Sequence, residues 1–257
     1  MLRPLILGFA ALAPLLVVLA WSTSLALVAA IVALAHAAVM LPMFLPRLGW
    51  LGPVCTRFDT RADEVWLTID DGPDPVDTPI VLDLLDRFGA RATFFVKGEL
   101  AARHPDLLQA ILRRGHTLGN HTQTHPSAWF WGLPPARVER EVAACNEVLA
   151  AATGAAPALF RAPVGIKNPW LHPVLGRLGM RLVAWSVRGF DGVPGFDPDR
   201  VAGRVLAGAR PGAILVVHQG IQDRDGSPLS PRGIERVLAG LRDRGYACII
   251  PQAAALR

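Results

Sequence analysis

Between Val65 and Ile250, short and continuously apolar runs recur at intervals filled by helical patterns. Val65-Trp66-Leu67-Thr68-Ile69, Ala92-Thr93-Phe94-Phe95-Val96, Leu159-Phe160, Leu182-Val183-Ala184-Trp185, Ile214-Leu215-Val216-Val217 and Cys248-Ile249-Ile250 lack polar alternation, so each reads as a strand buried on both faces. Helices fill the gaps. Ile80, Leu84, Leu85 and Phe88 share one face of 78–88, which Gly89 ends, and Val138, Val142, Cys145 and Leu149 do the same over 135–152, which Gly154 ends. Strands of this kind alternating with helices call for a parallel sheet, because parallel neighbours need a crossover and the crossing helix covers the outer face. The expected fold class is α/β, a closed or nearly closed barrel of about seven units whose strands direct their carboxyl ends to one mouth.

The N-terminal part is of another kind. From Leu5 to Ala20 and again from Leu25 to Leu45 the chain is almost wholly apolar, broken by Trp21-Ser22-Thr23-Ser24 and marked by Pro14 and His36. A bilayer crossing needs about 20 apolar residues, which the second run meets and the first approaches. One or two transmembrane helices are expected in a membrane anchor over 1–45, with membrane lipid as a partner. A Pro/Gly-containing linker over 46–63 and a globular domain over 64–257 follow. A cleaved signal peptide is disfavoured, since no small-x-small site closes the first run and a second apolar run comes after it. Two spans would keep both ends on the cytoplasmic side with Arg3, Arg47, Arg57 and Arg61, whereas one span beginning at Arg3 would place the globular part outside.

The roughly 200 residues beyond the apolar segment suffice for one domain with a sizeable core. The formal net charge of +5 is scattered, with neither basic runs nor aromatic-basic alternation. That distribution argues against a nucleic-acid partner and suits anionic lipid or an acidic glycan. Cys55, Cys145 and Cys248 are far apart and odd in number, and read as buried packing residues.

Polar residues gather where strands end. The first run leads straight into Asp70-Asp71-Gly72-Pro73, two carboxylates at a forced turn. His121-Thr122-Gln123-Thr124-His125 places two imidazoles four residues apart, a spacing that lets both reach one metal ion, although neither Gln123 nor Thr124 supplies the internal base of a zincin helix. Arg161 follows Leu159-Phe160, and His218 closes the run Ile214 to Val217. Singly, each has an ordinary structural explanation. Four strand exits presenting acid, imidazole and guanidinium groups are hard to explain by solvation alone. Trp129-Phe130-Trp131, just beyond the histidine pair, suits a stacking wall for a sugar ring, core packing or a membrane interface.

Taken in order, T-I-D-D-G-P, H-T-Q-T-H, R-A-P-V-G and L-V-V-H resemble the signature segments of the NodB-homology polysaccharide deacetylases, carbohydrate esterase family 4, over about residues 64–251. The resemblance implies a distorted (β/α)7-8 barrel and a metal-dependent hydrolase that removes an N-acyl group, the N-acetyl group above all, from an amino sugar. The implied substrate is a polysaccharide or cell-envelope glycan. Alternatives are a lipid-linked aminosugar, as in the family's deformylase branch, and a non-catalytic glycan-binding protein. Asp70 matches the catalytic base, Asp71, His121 and His125 the metal ligands, Arg161 the residue that orients the base, and His218 the general acid. Zinc is the expected ion, and cobalt, nickel or manganese would also suit two imidazoles and a carboxylate. With an envelope glycan as substrate, the expected setting is a bacterial-type inner membrane with the catalytic domain extracytoplasmic, the face remaining open. Two departures stand out. Ala162 and Val164 replace a proline and an aromatic, and Arg188 occupies the place of an acid expected to tune His218, leaving Asp191 as the candidate for that task.

Overall fold

A computed structural model of the chain describes residues 2–257; Met1, the first residue of the expected anchor, lies outside the described residues. The two apolar runs form helices α1 (Arg3–Ala20) and α2 (Leu25–Phe44), packed on each other across the turn at 21–24. The side chain of Ser24 accepts the amide of Leu27 and so starts α2. Both helices are long and apolar enough to cross a membrane. They also leave large apolar side chains uncovered, Leu5 at 71% exposure and Leu25 at 77%, a surface suited to lipid rather than water.

The globular part runs β1 (Glu64–Asp70), α3 (Asp77–Arg87), β2 (Ala92–Val96), α4 (Gly98–Arg103), α5 (Pro105–Arg113), β3 (Thr117–Asn120), α6 (Pro135–Thr153) and β4 (Leu159–Phe160). It continues through α7 (Leu171–Arg177), β5 (Arg181–Leu182), β6 (Val187–Arg188), α8 (Pro198–Gly208), β7 (Ile214–His218), α9 (Ser230–Asp243) and β8 (Ala247–Cys248). Seven strands lie parallel in the order β5-β4-β3-β2-β1-β7-β6, with β8 beside the start of β1. The two strands at the edges of that order, β5 and β6, follow each other in the chain. The sheet therefore curls into the expected distorted barrel, with the helices outside.

Strand parity decides what enters the barrel. Side chains alternate between faces along a strand. Val65, Leu67 and Ile69 of β1 pack outward with Ala92, Phe94 and Val96 of β2, Leu215 and Val217 of β7, and the helices α3, α5, α6 and α9. The intervening residues Trp66, Phe95 and Ile214 join a separate inner cluster. Inside, the Trp66 indole donates to Thr93 Oγ1 at 2.9 Å, and the Thr68 hydroxyl donates to the Leu215 carbonyl at 2.7 Å. Continuing the inner parity by two residues brings β1 to Asp70, β7 to His218 and β4 to Arg161.

The single strand expected over 182–185 is split. Beyond Leu182 the carbonyls of Val183 and Ala184 accept hydrogen bonds from the Arg161 guanidinium, and Cys55 bridges Val183, donating to the Leu182 carbonyl and accepting from the Ala184 amide. Backbone groups occupied in this way cannot continue a ladder, and pairing resumes only at β6. The segment 46–63, expected as a linker, thus packs along the seam of the barrel: Leu51, Cys55 and Phe58 are buried, and Phe58 pairs with Leu256. All three cysteines are buried with free thiols, in keeping with packing roles. β3 escaped the sequence reading because it is short and centred on Gly119, a poor strand former.

Gly119 stands directly opposite Phe95, and a Cβ there would lie 2.5 Å from the phenyl ring. Gly119→Ala should lower the unfolding free energy by about 1–3 kcal/mol, as overpacking does. A denaturant titration in detergent measures it; an unchanged midpoint would show that the ring moves aside freely.

Candidate active site

The inward residues at the strand ends meet as parity requires. Asp70, 2% exposed, ends β1 level with His218 on β7, and its Oδ1 accepts from Arg161 Nη1 at 2.7 Å. Arg161 is fully buried, donates also to Thr68 Oγ1 at 2.7 Å, and lies 4.1 Å above the Phe95 ring centroid. Every polar contact of this cation is made by the barrel wall, so its direction is fixed, and Asp70 keeps Oδ2 free on the side of His121, 3.9 Å from its Nε2.

Asp71 should point outward by strand alternation. It turns back inside because the chain leaves β1 here, with Asp71 in the left-handed region at φ 74° and a cis peptide between Gly72 and Pro73. His125, at φ 54°, and Thr122, at φ 68°, share that sparsely populated conformation. Backbone strain at several neighbouring positions is held by surrounding structure and gathers where side chains are aimed for function. Here the holding contacts are explicit. Buried Glu141 of α6 accepts from the Thr124 amide and hydroxyl at 2.9 and 3.0 Å, and the amides of Gly98 and Glu99 donate to the carbonyls of Thr122 and Gln123.

Asp71 Oδ1 lies 3.3 Å from His125 Nε2 and 3.8 Å from His121 Nε2. The ligand atoms of the three residues all fall within 4.8 Å of one another. His121 Nδ1 sits 2.9 Å from the Arg161 carbonyl, which can only accept; Nδ1 therefore carries the proton and Nε2 presents a lone pair to the cluster. Burial and the neighbouring His121 hold the His125 pKa down to about 4, so this ring too is neutral at pH 7. Although burial opposes it, the surrounding His121, His125 and Lys97 charges lower the Asp71 pKa and favour its carboxylate. Its Oδ1 is buried without a hydrogen-bond partner. Two neutral imidazoles and an orphaned carboxylate oxygen are the donor set that a three-ligand catalytic zinc site uses, and they fit a divalent cation.

On the opposite wall, Asp191 grips His218 twice, accepting its backbone amide at 2.7 Å and standing 2.9 Å from Nδ1. Burial pushes the His218 pKa down, but the hydrogen bond and charge of Asp191, assisted by Asp70 and Asp71, outweigh it and raise the value to about 9. Arg188 does not enter this arrangement: its guanidinium lies over the Phe190 ring at 4.0 Å. In the turn that follows Arg161, the amides of Gly165 and Ile166 donate to Ala162 and Pro163. Val164, at φ 47° and half exposed, is left as the residue whose N–H the turn can offer.

The structure thus gathers Asp70, Asp71, His121, His125, Arg161, Asp191 and His218 around one mouth. It adds Lys97, whose ammonium is 3.6 Å from Asp71 Oδ1. Lys97 directly follows β2 and continues its inward parity, so a search of every strand exit would have found it. Trp129-Phe130-Trp131 divides: Phe130 is buried beside Phe160, Trp129 is 71% exposed, and Trp131 packs on Phe44 of α2.

A parallel barrel with acids, imidazoles and a buried guanidinium at its mouth defines a hydrolase-type site, and comparison with known proteins gives the family. The polysaccharide deacetylase family profile matches residues 58–183. A chitooligosaccharide deacetylase of Sinorhizobium fredii is 37% identical over 199 residues, covering 74% of this chain and 91% of that protein. A peptidoglycan-N-acetylglucosamine deacetylase of Bacillus cereus is 32% identical over 182 residues, covering 70% of this chain and 82% of its own length. Among solved structures, a peptidoglycan N-acetylglucosamine deacetylase in complex with 4-naphthalen-1-yl-N-oxidanyl-benzamide superposes with a TM-score of 0.67 at 28% identity, covering 76% of this chain and 89% of the other. The chain belongs to the polysaccharide deacetylase family, the NodB-homology group of carbohydrate esterase family 4. It is a carbohydrate N-deacetylase, a hydrolase of carbon–nitrogen bonds outside peptides.

Removing one partner of a buried ion pair strands the other charge. Arg161→Met should therefore cost about 3–5 kcal/mol of unfolding free energy, and Asp70→Asn combined with it should restore part of the loss. Denaturant unfolding of the two single variants and the double variant measures the coupling; additive costs would show that the pair does not interact.

Proposed function

We propose that the protein removes the N-acetyl group from N-acetylglucosamine-type sugars in a metal-dependent reaction, with Asp71, His121 and His125 as the ligands and zinc as the ion. The convergence of two neutral imidazole nitrogens on the unpartnered Asp71 oxygen carries this reading. When bound, the cation supplies Lewis-acid polarisation and makes water easier to deprotonate. The protein's own groups do the rest. Asp70, its Oδ1 fixed by Arg161, takes the proton of the attacking water on Oδ2. The Val164 N–H faces the oxygen on which negative charge gathers. His218, kept protonated by Asp191, delivers a proton to the departing nitrogen, without which an amine leaves poorly. The products are acetate and a free amino sugar. The relatives named as chitooligosaccharide and peptidoglycan-N-acetylglucosamine deacetylases support the choice of sugar.

In the membrane, the paired helices α1 and α2 favour two spans. Arg3 donates to the Pro169 carbonyl at 3.3 Å, so the start of α1 and the end of α2 reach the same side of the catalytic domain. With Arg3 and Arg47 both there and an uncharged turn at 21–24, charge bias assigns the domain to the cytoplasmic face, against the extracytoplasmic setting expected of an envelope polymer.

Two measurements test the chemistry. Asp70→Asn should retain bound zinc yet lower kcat on N-acetylated chito-oligosaccharide by about 10²- to 10⁴-fold, whereas His121→Ala or His125→Ala should lose the metal itself. Metal content by atomic absorption and acetate release separate the two effects, and full activity in Asp70→Asn would sink the assignment. The second is a pH profile. Because His218 acts while protonated and its pKa is raised to about 9, kcat should hold to about pH 9 and fall above it. In Asp191→Asn, burial is no longer opposed by that carboxylate, so the basic limb should move to lower pH; an unmoved limb would exclude His218 as the acid.

A further inference from the structure

The catalytic mouth and the membrane helices meet at one place. Lys167, 1% exposed and six residues beyond Arg161, donates through Nζ to the carbonyls of Leu45, Pro46 and Leu48 at 2.6, 3.1 and 2.9 Å, and its amide donates to Met43. A buried cation on the carbonyl end of a helix satisfies its orphaned acceptors and opposes its dipole. The end of α2 is thereby fixed to the same loop that carries Val164. Exposed Trp129 and Trp170, and Trp131 packed on Phe44, flank this junction, where aromatic residues accumulate at a membrane–water boundary.

From this junction a groove of about 680 Å³ runs toward the site. Phe44 and Leu45 of the membrane-helix end line one part of it, and Val164 and Trp185 of the catalytic mouth line another. Its remaining wall carries Arg47, Arg188 and Arg210, and among the described residues none of the three is ion-paired with a carboxylate. Arg188 is held over Phe190, itself a residue at φ 62° and 54% exposed. A neutral polymer of N-acetylated sugars has no charge to engage three unpaired guanidiniums and no use for an apolar route to the bilayer. An anion with an alkyl chain has both, and guanidinium is the side chain best matched to phosphate.

We propose that the substrate is a membrane glycolipid, an N-acetyl amino sugar joined through phosphate to a lipid chain. Its sugar occupies the catalytic mouth, its phosphate lies among Arg47, Arg188 and Arg210, and its chain passes Phe44 and Leu45 along α2 into the bilayer. This rests on the deacetylase reading above and names the form in which the sugar arrives. Arg188, out of place as a partner for His218, becomes a specificity residue.

The test uses the full-length, zinc-loaded protein in phosphatidylcholine vesicles and follows acetate release from three probes: N-acetylglucosaminyl phosphate linked to a polyprenol, water-soluble N-acetylglucosamine 1-phosphate, and chitotetraose. The lipid-linked probe should show the highest kcat/KM, by about tenfold or more, and the double variant Arg188→Gln/Arg210→Gln should cut its advantage over chitotetraose by at least about tenfold, mainly through KM. Binding of the lipid-linked probe to Asp70→Asn by titration calorimetry should weaken by a similar factor when the two arginines are also replaced. Equal or better use of chitotetraose, or an advantage indifferent to the arginines, would overturn the glycolipid proposal and leave the deacetylase reading standing. A preference for the soluble sugar phosphate would assign the groove to phosphate without a lipid and likewise overturn it. Acetate from none of the probes would overturn both.

Discussion

The guanidinium of Arg161 is the interaction on which the rest of the site depends. A buried arginine without partners would be prohibitively costly, and this one is satisfied by Asp70, the Thr68 hydroxyl, the carbonyls of Val183 and Ala184 and the face of Phe95. Those five partners come from β1, β2 and the seam after β5. One cation therefore closes the barrel where its sheet is interrupted and fixes the carboxylate that the chemistry uses. The carbonyl of the same residue sets the tautomer of His121, which ties the orientation of the base to that of a metal-binding ring. Catalytic geometry and barrel closure share one residue, so neither can drift without the other.

Much of this was legible in the chain. Continuous apolar runs gave away buried parallel strands, and polar residues at their exits marked the mouth. Four such exits, Asp70-Asp71, His121 with His125, Arg161 and His218, converge in space as the order of segments implied. The physical reason is a parity that counting could have revealed: Trp66, Thr68 and Asp70 face inward together, as do Leu159 and Arg161, while the outward set fills the helical layer. Lys97 obeys the same count after Phe95 and was overlooked only because the exit of β2 went unexamined.

What the sequence did not disclose depended on contacts between distant segments. Nothing in Leu182-Val183-Ala184-Trp185 shows that its carbonyls will be taken by an arginine twenty residues earlier and by Cys55, so the run looked like one strand. The turn at Asp71 depends on a left-handed backbone that a non-glycine residue rarely adopts, and propensity gives no hint of it. Arg188 looked like a threat to the general acid because position was the only available guide; with its side chain stacked on Phe190 and Asp191 gripping His218, the anticipated conflict does not arise. Lys167, an ordinary lysine in the sequence, proved to be buried on helix-end carbonyls.

The seam at Cys55 and Phe58 also dictates an order of assembly. These residues leave the ribosome early, directly behind the apolar helices, yet their partners are Leu182 to Ala184, Gly212 and, last, Leu256 and Arg257. Pairings separated by so much chain form slowly, since the loop between them must first be closed. The segment nearest the bilayer must wait for nearly the whole polypeptide before it finds its place, while the helices before it can already be lodged in lipid. Biogenesis thus holds the barrel open at the membrane surface until synthesis ends.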